Sequence, residues 1–190
     1  AYVTPVRDPP AEADEVLANL ASAGVPTYAV TSGDSLVWGD SGQVRAEVVW
    51  PPSERAGAGS LGANDGSVVL ALTLTSPGVR GETEPRDGIR MLFTGDIEPV
   101  AARGVRRALA GERFDVLKVA HHGSAAQDEA LVTGVGAAIA LIGVGEDNTF
   151  GHPSRTALSL LAEAGSVVLR TDRDGTYALV GTGAGWGIVR

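Results

Sequence analysis

Asp115-Val116-Leu117-Lys118-Val119-Ala120-His121-His122-Gly123-Ser124 is the stretch on which the reading of this chain turns. An apolar run of strand length, broken by one lysine, ends here in two adjacent histidines. Upstream, Met91-Leu92-Phe93-Thr94-Gly95-Asp96 has the same form, an apolar run closed by a glycine and a carboxylate. Downstream, the apolar residues 137–143 lead into a polar loop, Glu146-Asp147-Asn148-Thr149, and then Phe150-Gly151-His152-Pro153. Residues 98–110, 125–133 and 154–164 between and after these runs have helical periodicity, and 166–171 reads as another strand. Strand and helix therefore alternate from Asp96 onward. In α/β proteins, loops that follow such strands gather at one sheet edge, where chemistry is usually placed.

Before Asp96 the texture differs. Pro9-Pro10 followed by residues 11–23 reads as a helix with proline in its first turn and Gly24 as its stop. Residues 26–30, 35–38, 44–50, 67–75 and 89–94 are short β-branched and aromatic runs separated by Gly, Pro, Ser and Asp, which predicts an antiparallel meander. Residues 51–66 and 76–88 read as loops. Near the other end, Arg173-Asp174-Gly175 stands between two strand-like runs, 166–171 and 176–180, and predicts a hairpin in which Asp172, Asp174 and Gly175 are structural. Residues 181–187 read as a tail or a last edge strand. The expected architecture is one mixed α/β domain over 1–190. Residues 1–95 are mainly antiparallel strands after one helix, and 96–180 alternate α and β.

Composition narrows the chemistry. There is no cysteine, so thiolate metal sites and disulfides are excluded, and a metal would be held by histidine, carboxylate and water. The formal net charge is −8, and Lys118 is the sole lysine among fifteen basic residues, which argues against tight unaided binding of nucleic acid. Arg103, Arg106, Arg107 and Arg113 read as a solvated helix face, with local contact to phosphates as the alternative. No apolar run approaches the roughly 20 residues that cross a bilayer, and no signal peptide is visible, so a soluble domain is expected. The chain opens on Ala1-Tyr2-Val3 without an initiator methionine, which reads as a piece of a longer protein, one that could itself be membrane-bound.

All three histidines fall within the thirty-two residues 121–152. Asp96, behind a glycine at a strand end, suits a metal-bridging carboxylate, and equally an N-cap for the following helix. His121 and His122 face opposite sides if the strand stays extended, so one of them points into a given site. Lys118 shares a face with His122, and a lysine on a strand covered on both sides hints at a polar cavity there. Ser124-Ala-Ala-Gln127 reads as a capping box for residues 125–133 rather than part of a serine-hydrolase elbow. His152 is held between Gly151 and Pro153, with proline expected at the first helical position, and Asn148 reads as a loop hydrogen-bonding residue. The candidate catalytic residues are Asp96 and His122. The candidate metal ligands are Asp96, His121, His122 and His152, a nitrogen and oxygen set suited to Zn²⁺ or Mn²⁺ activating water against an ester or phosphodiester.

Four stretches carry a family resemblance. Leu92-Phe-Thr-Gly-Asp-Ile-Glu98, Asp115 to Ser124, Asn148-Thr-Phe-Gly-His-Pro153 and Arg170-Thr-Asp-Arg-Asp-Gly175 resemble, in order and spacing, the metallo-β-lactamase-like domain of ComEC-type DNA-internalisation competence proteins. Val49-Trp50-Pro51-Pro52 and Asn64-Asp65-Gly66-Ser67 look like the same domain's earlier strand and loop. The resemblance implies an αββα sandwich lacking its first strands, with a two-metal site at one edge. Asp96 would be the bridging aspartate, His152 the last histidine ligand, and His121-His122 the double-histidine motif. It also implies a nuclease-like domain of a bacterial plasma-membrane protein, extracytoplasmic, acting on DNA during uptake, with the membrane reached through segments outside this chain.

One feature of the family is missing. Nothing in the chain matches the family's first ligand motif, His-x-His-x-Asp-His or its Asp-x-Asp-His variant. The chain alone is therefore expected to be inactive, its metal incompletely bound or absent, and to self-associate through an uncovered sheet edge. A non-catalytic DNA-docking or structural module of the uptake channel is the alternative. Another hydrolase of the same superfamily is a third reading.

Overall fold

The computed structural model of the protein describes residues 1–39, 44–55, 61–75, 88–182 and 185–190. Its centre is a seven-stranded mixed sheet in the order β3 (Ser35–Trp38), β4 (Val44–Trp50), β5 (Val69–Thr75), β6 (Gly88–Phe93), β7 (Val116–Lys118), β8 (Ile139–Ile142), β9 (Val167–Arg170). Neighbours from β3 to β6 are antiparallel, and neighbours from β6 to β9 are parallel. The mixed α/β class expected from the sequence is the one observed.

Three helices connect the parallel strands, as parallel pairing requires: α2 (Pro99–Leu109), α3 (Glu129–Val135) and α4 (Arg155–Glu163). They pack on one face of the sheet. There Val69, Ala71, Leu92, Leu117, Ala140 and Ile142 meet Val105 and Leu109 of α2, Leu131 and Val135 of α3, and Leu161 of α4. The alternate residues Leu72, Met91, Val116 and Ile139 face the other way, under Leu179 and Ile188 of a separate antiparallel hairpin, β10 (Ala178–Thr182) with β11 (Gly185–Val189). With both faces covered, the parallel strands read as continuous apolar runs. Each fully buried Leu or Ile stabilises by roughly 1.5–3 kcal/mol.

Some predicted elements differ. Residues 28–29 do not join the meander: β2 (Tyr28–Ala29) pairs in parallel with β1 (Tyr2–Val3) as a small separate sheet, with α1 (Pro10–Ser22) between them in sequence. Tyr2, Tyr28 and Trp38 stay exposed there, with ring centroids 5.9 and 6.4 Å apart from Tyr2, beside the outer strand β3. The expected hairpin at Asp174-Gly175 is absent, because β9 leads into a short helix, α5 (Thr171–Asp174), and β10 pairs with β11 instead. Local side-chain bonds favour that turn over a strand: the Arg170 guanidinium donates to both Asp172 oxygens, at 3.0 and 2.6 Å, and the Arg170 N–H donates to Asp174. The capping box is overturned as well. α3 starts four residues later than predicted and is capped by Asp128, whose Oδ1 accepts from Leu131 N–H at 2.8 Å, whereas Ser124 Oγ is buried without a hydrogen bond among the described residues. Residues 76–87 of one expected loop, 56–60 of the other, and 183–184 of the expected tail lie outside the described residues.

α2 sits close on β4. A Cβ at Gly104 would lie 2.3 Å from Cζ3 of Trp50, a ring that is itself buried. Gly104→Ala is expected to lower stability by about 1–3 kcal/mol, the usual cost of overpacking, despite the better helix propensity of alanine. Urea denaturation would read this; an unchanged or raised midpoint would show that the helix can step back freely.

Candidate functional site

β6, β7, β8 and β9 are parallel, so the loops after them emerge at one edge of the sheet. Asp96 follows β6, His121 and His122 follow β7, the Gly143–His152 loop follows β8, and Thr171 follows β9.

The double-histidine segment does not remain extended. His121 (φ 46°, ψ 48°) and His122 (φ 54°, ψ 23°) are both left-handed, and Gly123 follows at φ 78°. Left-handed geometry costs a non-glycine residue about 1–2 kcal/mol, so two in succession are a local strain that the surroundings must impose. Those surroundings are visible: His121 N–H donates to Gly95 O at 3.1 Å, Ser124 N–H to His121 O at 2.9 Å, and Ser154 N–H to Gly123 O at 2.8 Å. Gly123 also lies against Pro153, where a Cβ would come within 2.7 Å. The turn removes the alternation of an extended strand, and both rings reach the same edge, their centroids 6.4 Å apart.

His122 Nδ1 is 2.6 Å from Gly143 O, which accepts its proton and so assigns the Nδ1–H tautomer. Nε2 then faces Asp96 Oδ2 at 3.5 Å. A cation between the two would be held by both. Two donors each about 2.0–2.2 Å from one ion at tetrahedral angles lie about 3.3–3.5 Å apart, so this pair has the spacing of two ligands. His121 turns toward Glu98, with Nδ1 3.7 Å from Oε1, and toward His152, with ring centroids 5.6 Å apart. His121 Nδ1 is buried and without a hydrogen bond, an orphaned donor or acceptor at the same edge. In chemistry and spacing the Asp96 and His122 pair fits a divalent ion. Among the described residues, however, no three His, Asp or Glu side chains stand close enough together to clasp one.

Asp96 is not the cap of α2. The N-cap position belongs to Glu98, whose N–H donates to Asp65 Oδ1 at 2.8 Å, and Asp96 N–H donates to Ser67 Oγ at 3.0 Å. The carboxylate is thus left for Lys118 Nζ, 3.8 Å away, and for His122. Lys118 also donates weakly to Gly95 O at 3.4 Å. Burial pulls the lysine below its ordinary range, and the neighbouring Asp96 charge pulls it back up. Lys118 and His122 line one cleft of about 500 Å³, with Val144, Asn148, Phe150 and His152.

The third histidine is placed by its loop. Asn148 Nδ2 donates to His152 O at 2.7 Å and Asn148 Oδ1 accepts from Phe150 N–H at 3.1 Å, the loop-bonding role read from the sequence. Thr171 Oγ1 bonds both the O and the N–H of Val144 at 2.7 Å, closing the loop's other end. Proline is not at the first helical position. Ser154 caps α4, its Oγ accepting from Ala157 N–H at 3.1 Å, and Pro153 stands before it.

Sequence reasoning missed the buttress beneath Asp96. Asn64 Nδ2 donates to Glu98 Oε1 at 3.0 Å, and Trp50 Nε1 donates to Asp65 O at 2.6 Å. The signal was the density of short polar side chains in Asn64-Asp65-Gly66-Ser67, a composition that commonly bonds backbone groups.

His121→Gly is a prediction that separates strain from packing. Relief of the left-handed strain less the chain entropy of glycine should raise stability by up to about 1 kcal/mol. A calorimetric Tm lower than the parent's would show instead that the imidazole is a structural wedge.

Fold and site together define a mixed α/β protein with a carboxylate and imidazole cluster at the carboxyl edge of its parallel strands. Part of the chain is similar to ComE operon protein 3 of Bacillus subtilis (strain 168), with 36% identity over 90 residues, or 47% of this chain. That stretch is 12% of the length of the Bacillus protein. No protein-family model matches the chain. Among the described residues no helix is long and apolar enough to cross a membrane.

Proposed function

We propose that this chain carries the downstream half of the metal site of a metallo-β-lactamase-like hydrolase that cleaves phosphodiester bonds of DNA during its uptake by a bacterial cell. The observation that carries the reading is the strained His121-His122 turn, which sets His122 Nε2 against Asp96 Oδ2 while Gly143 O fixes the other ring nitrogen. Strain kept at adjacent polar residues is typical of functional sites, and a backbone carbonyl on the far nitrogen is typical of a metal-binding histidine. Likeness to a ComE operon product supports the setting in DNA uptake.

Zn²⁺ or Mn²⁺ held by Asp96 and His122, with His121 and His152 beside them, would supply Lewis acidity and an activated water. The chain's own residues orient and neutralise. Lys118 offsets the Asp96 charge, Asn148 fixes His152, and Val144 and Phe150 line the cleft beside them. The remaining ligands would come from a preceding part of a longer, membrane-anchored protein, with this domain outside the cytoplasm. The exposed Tyr2, Tyr28 and Trp38 cluster beside β3 would then be covered by that part, or by a second copy in its absence.

A second reading has its own observation. Because no three donors converge among the described residues, the same fold could serve as a non-catalytic DNA-docking module. Zinc competition against a chromophoric chelator, run beside hydrolysis of a labelled oligonucleotide with Mn²⁺ or Zn²⁺, separates the two. The hydrolase reading expects weak metal binding and no turnover by these 190 residues, and turnover once the upstream segment is present. Absence of turnover from the longer protein, with DNA binding intact, would favour the module.

A further inference from the structure

A second cleft, of about 400 Å³, lies between α2 and the end of β4, lined by Trp50, Glu54, Arg55, Arg103, Gly104 and Arg107 among others. Among the described residues Arg103 and Arg107 bring two guanidinium groups to it, in a chain whose net charge is −8. The four arginines that stood out in the sequence divide here. Arg106 approaches Asp128 at 3.9 Å, and Arg113 packs beneath Gly136. Arg103 and Arg107 form no ion pair among the described residues and line the cleft, exposed and one helical turn apart.

The register places this cleft at the same edge of the sheet as the candidate site. Trp50 pairs with Val69, Leu70 pairs with Phe93, and Asp96 lies three residues beyond Phe93. From β7, which carries the histidines, to β4 is a step of three strands, about 14 Å at the usual spacing of about 4.8 Å. Arg103 and Arg107 are separated by about 6 Å along the helix axis, at about 1.5 Å per residue. That spacing suits an extended polyanion better than a lone ion, and guanidinium forks match phosphate oxygens in pairs.

We infer that the Arg103–Arg107 cleft is a backbone-binding subsite for the phosphodiesters of a single nucleic-acid strand, a few nucleotides from the phosphate seated at Asp96 and His122. The inference rests on the phosphodiesterase reading for the second half of that statement only. The subsite holds the strand by charge and carries no base preference, because phosphate contacts position a strand without reading it.

The test is binding of a fluorescently labelled single-stranded 12-nucleotide DNA to the 190-residue chain, in EDTA, so that neither metal nor turnover contributes. The expected result is salt-sensitive binding that Arg103→Gln with Arg107→Gln weakens about tenfold. The log–log salt slope should fall by about 1.4, or about 0.7 for each of two single-strand phosphates that the variant no longer neutralises. Glutamine keeps helix propensity near that of arginine, and circular dichroism checks the fold. Arg106→Gln, the paired neighbour, should leave binding within twofold. The inference is overturned if the double variant binds like the parent, if the parent shows no binding at low salt, or if anionic phospholipid vesicles retain the chain and the oligonucleotide does not. None of these results bears on hydrolysis at Asp96, which a small chromogenic phosphodiester too short to reach the cleft reports separately in the longer protein.

Discussion

Alanine at Asp96 is expected to abolish metal-dependent phosphodiester hydrolysis by the longer protein of which this chain is proposed to be part, and to weaken zinc binding to the chain itself. Asp96 Oδ2 faces His122 Nε2 at 3.5 Å, and the peptide N–H of Asp96 is pinned by Ser67, whereas the neighbouring Glu98 carboxylate is turned to Asn64 and His121. Loss of a mere outer partner of a metal ligand commonly costs 10–100-fold, so a direct ligand should cost at least about 100-fold in metal affinity. Stability should change little, since the Asp96 side chain is more than a third exposed and its one ammonium partner, Lys118, is itself held below the ordinary lysine range by burial. Zinc competition and single-turnover cleavage check both halves. Retained turnover in the Asp96→Ala protein would remove the aspartate from the site.

Gly95→Ala should damage fold and site together. Gly95 is left-handed at φ 56°, and a Cβ there would stand 2.6 Å from Ser67 Cβ. The left-handed penalty of about 1–2 kcal/mol adds to an overpacking cost of about 1–3 kcal/mol, for a total of about 2–5 kcal/mol. A shift of the Gly95 backbone that relieves the clash would draw Gly95 O away from His121 N–H and loosen the double-histidine turn. Denaturation and zinc titration of the variant should therefore fail together. Full zinc affinity at a lowered midpoint would show that the turn does not depend on Gly95.

Much of the fold could be read because burial imposes a period. Val69, Ala71, Leu72 and Leu74 alternate between two apolar faces, and Ile89, Met91 and Phe93 repeat the pattern, so strand identity survives in sequence. Elements decided by one or two polar side chains were not legible in the same way. Asp128 capped α3 in place of Ser124, and Asp172 and Asp174 bonded Arg170 and made a helical turn where Asp-Gly suggested a hairpin. Competition among several equally suitable short polar residues is settled by tertiary contacts that no local window contains.

The same division holds at the candidate site. That Asp96, His121, His122 and His152 would lie in loops at one edge of the sheet follows from the alternation of strand and helix. That both adjacent histidines could face one edge does not, because it depends on a left-handed turn held by Gly95 and by Pro153-Ser154, from two other segments. The Asn64-Asp65 buttress under Glu98 is equally non-local, thirty-three or thirty-four residues from its partner.

The chain has three histidines and no cysteine, so its imidazole proton resonances are few enough to assign from three single substitutions. Titration with substoichiometric Mn²⁺ while following those resonances tests most directly whether Asp96 and His122 share one ion. Broadening of the His122 signals first, followed by those of His121 and His152, and loss of that selectivity in Asp96→Asn, is the predicted result. Uniform broadening of all three rings, or broadening of His122 that is unchanged in Asp96→Asn, would contradict it.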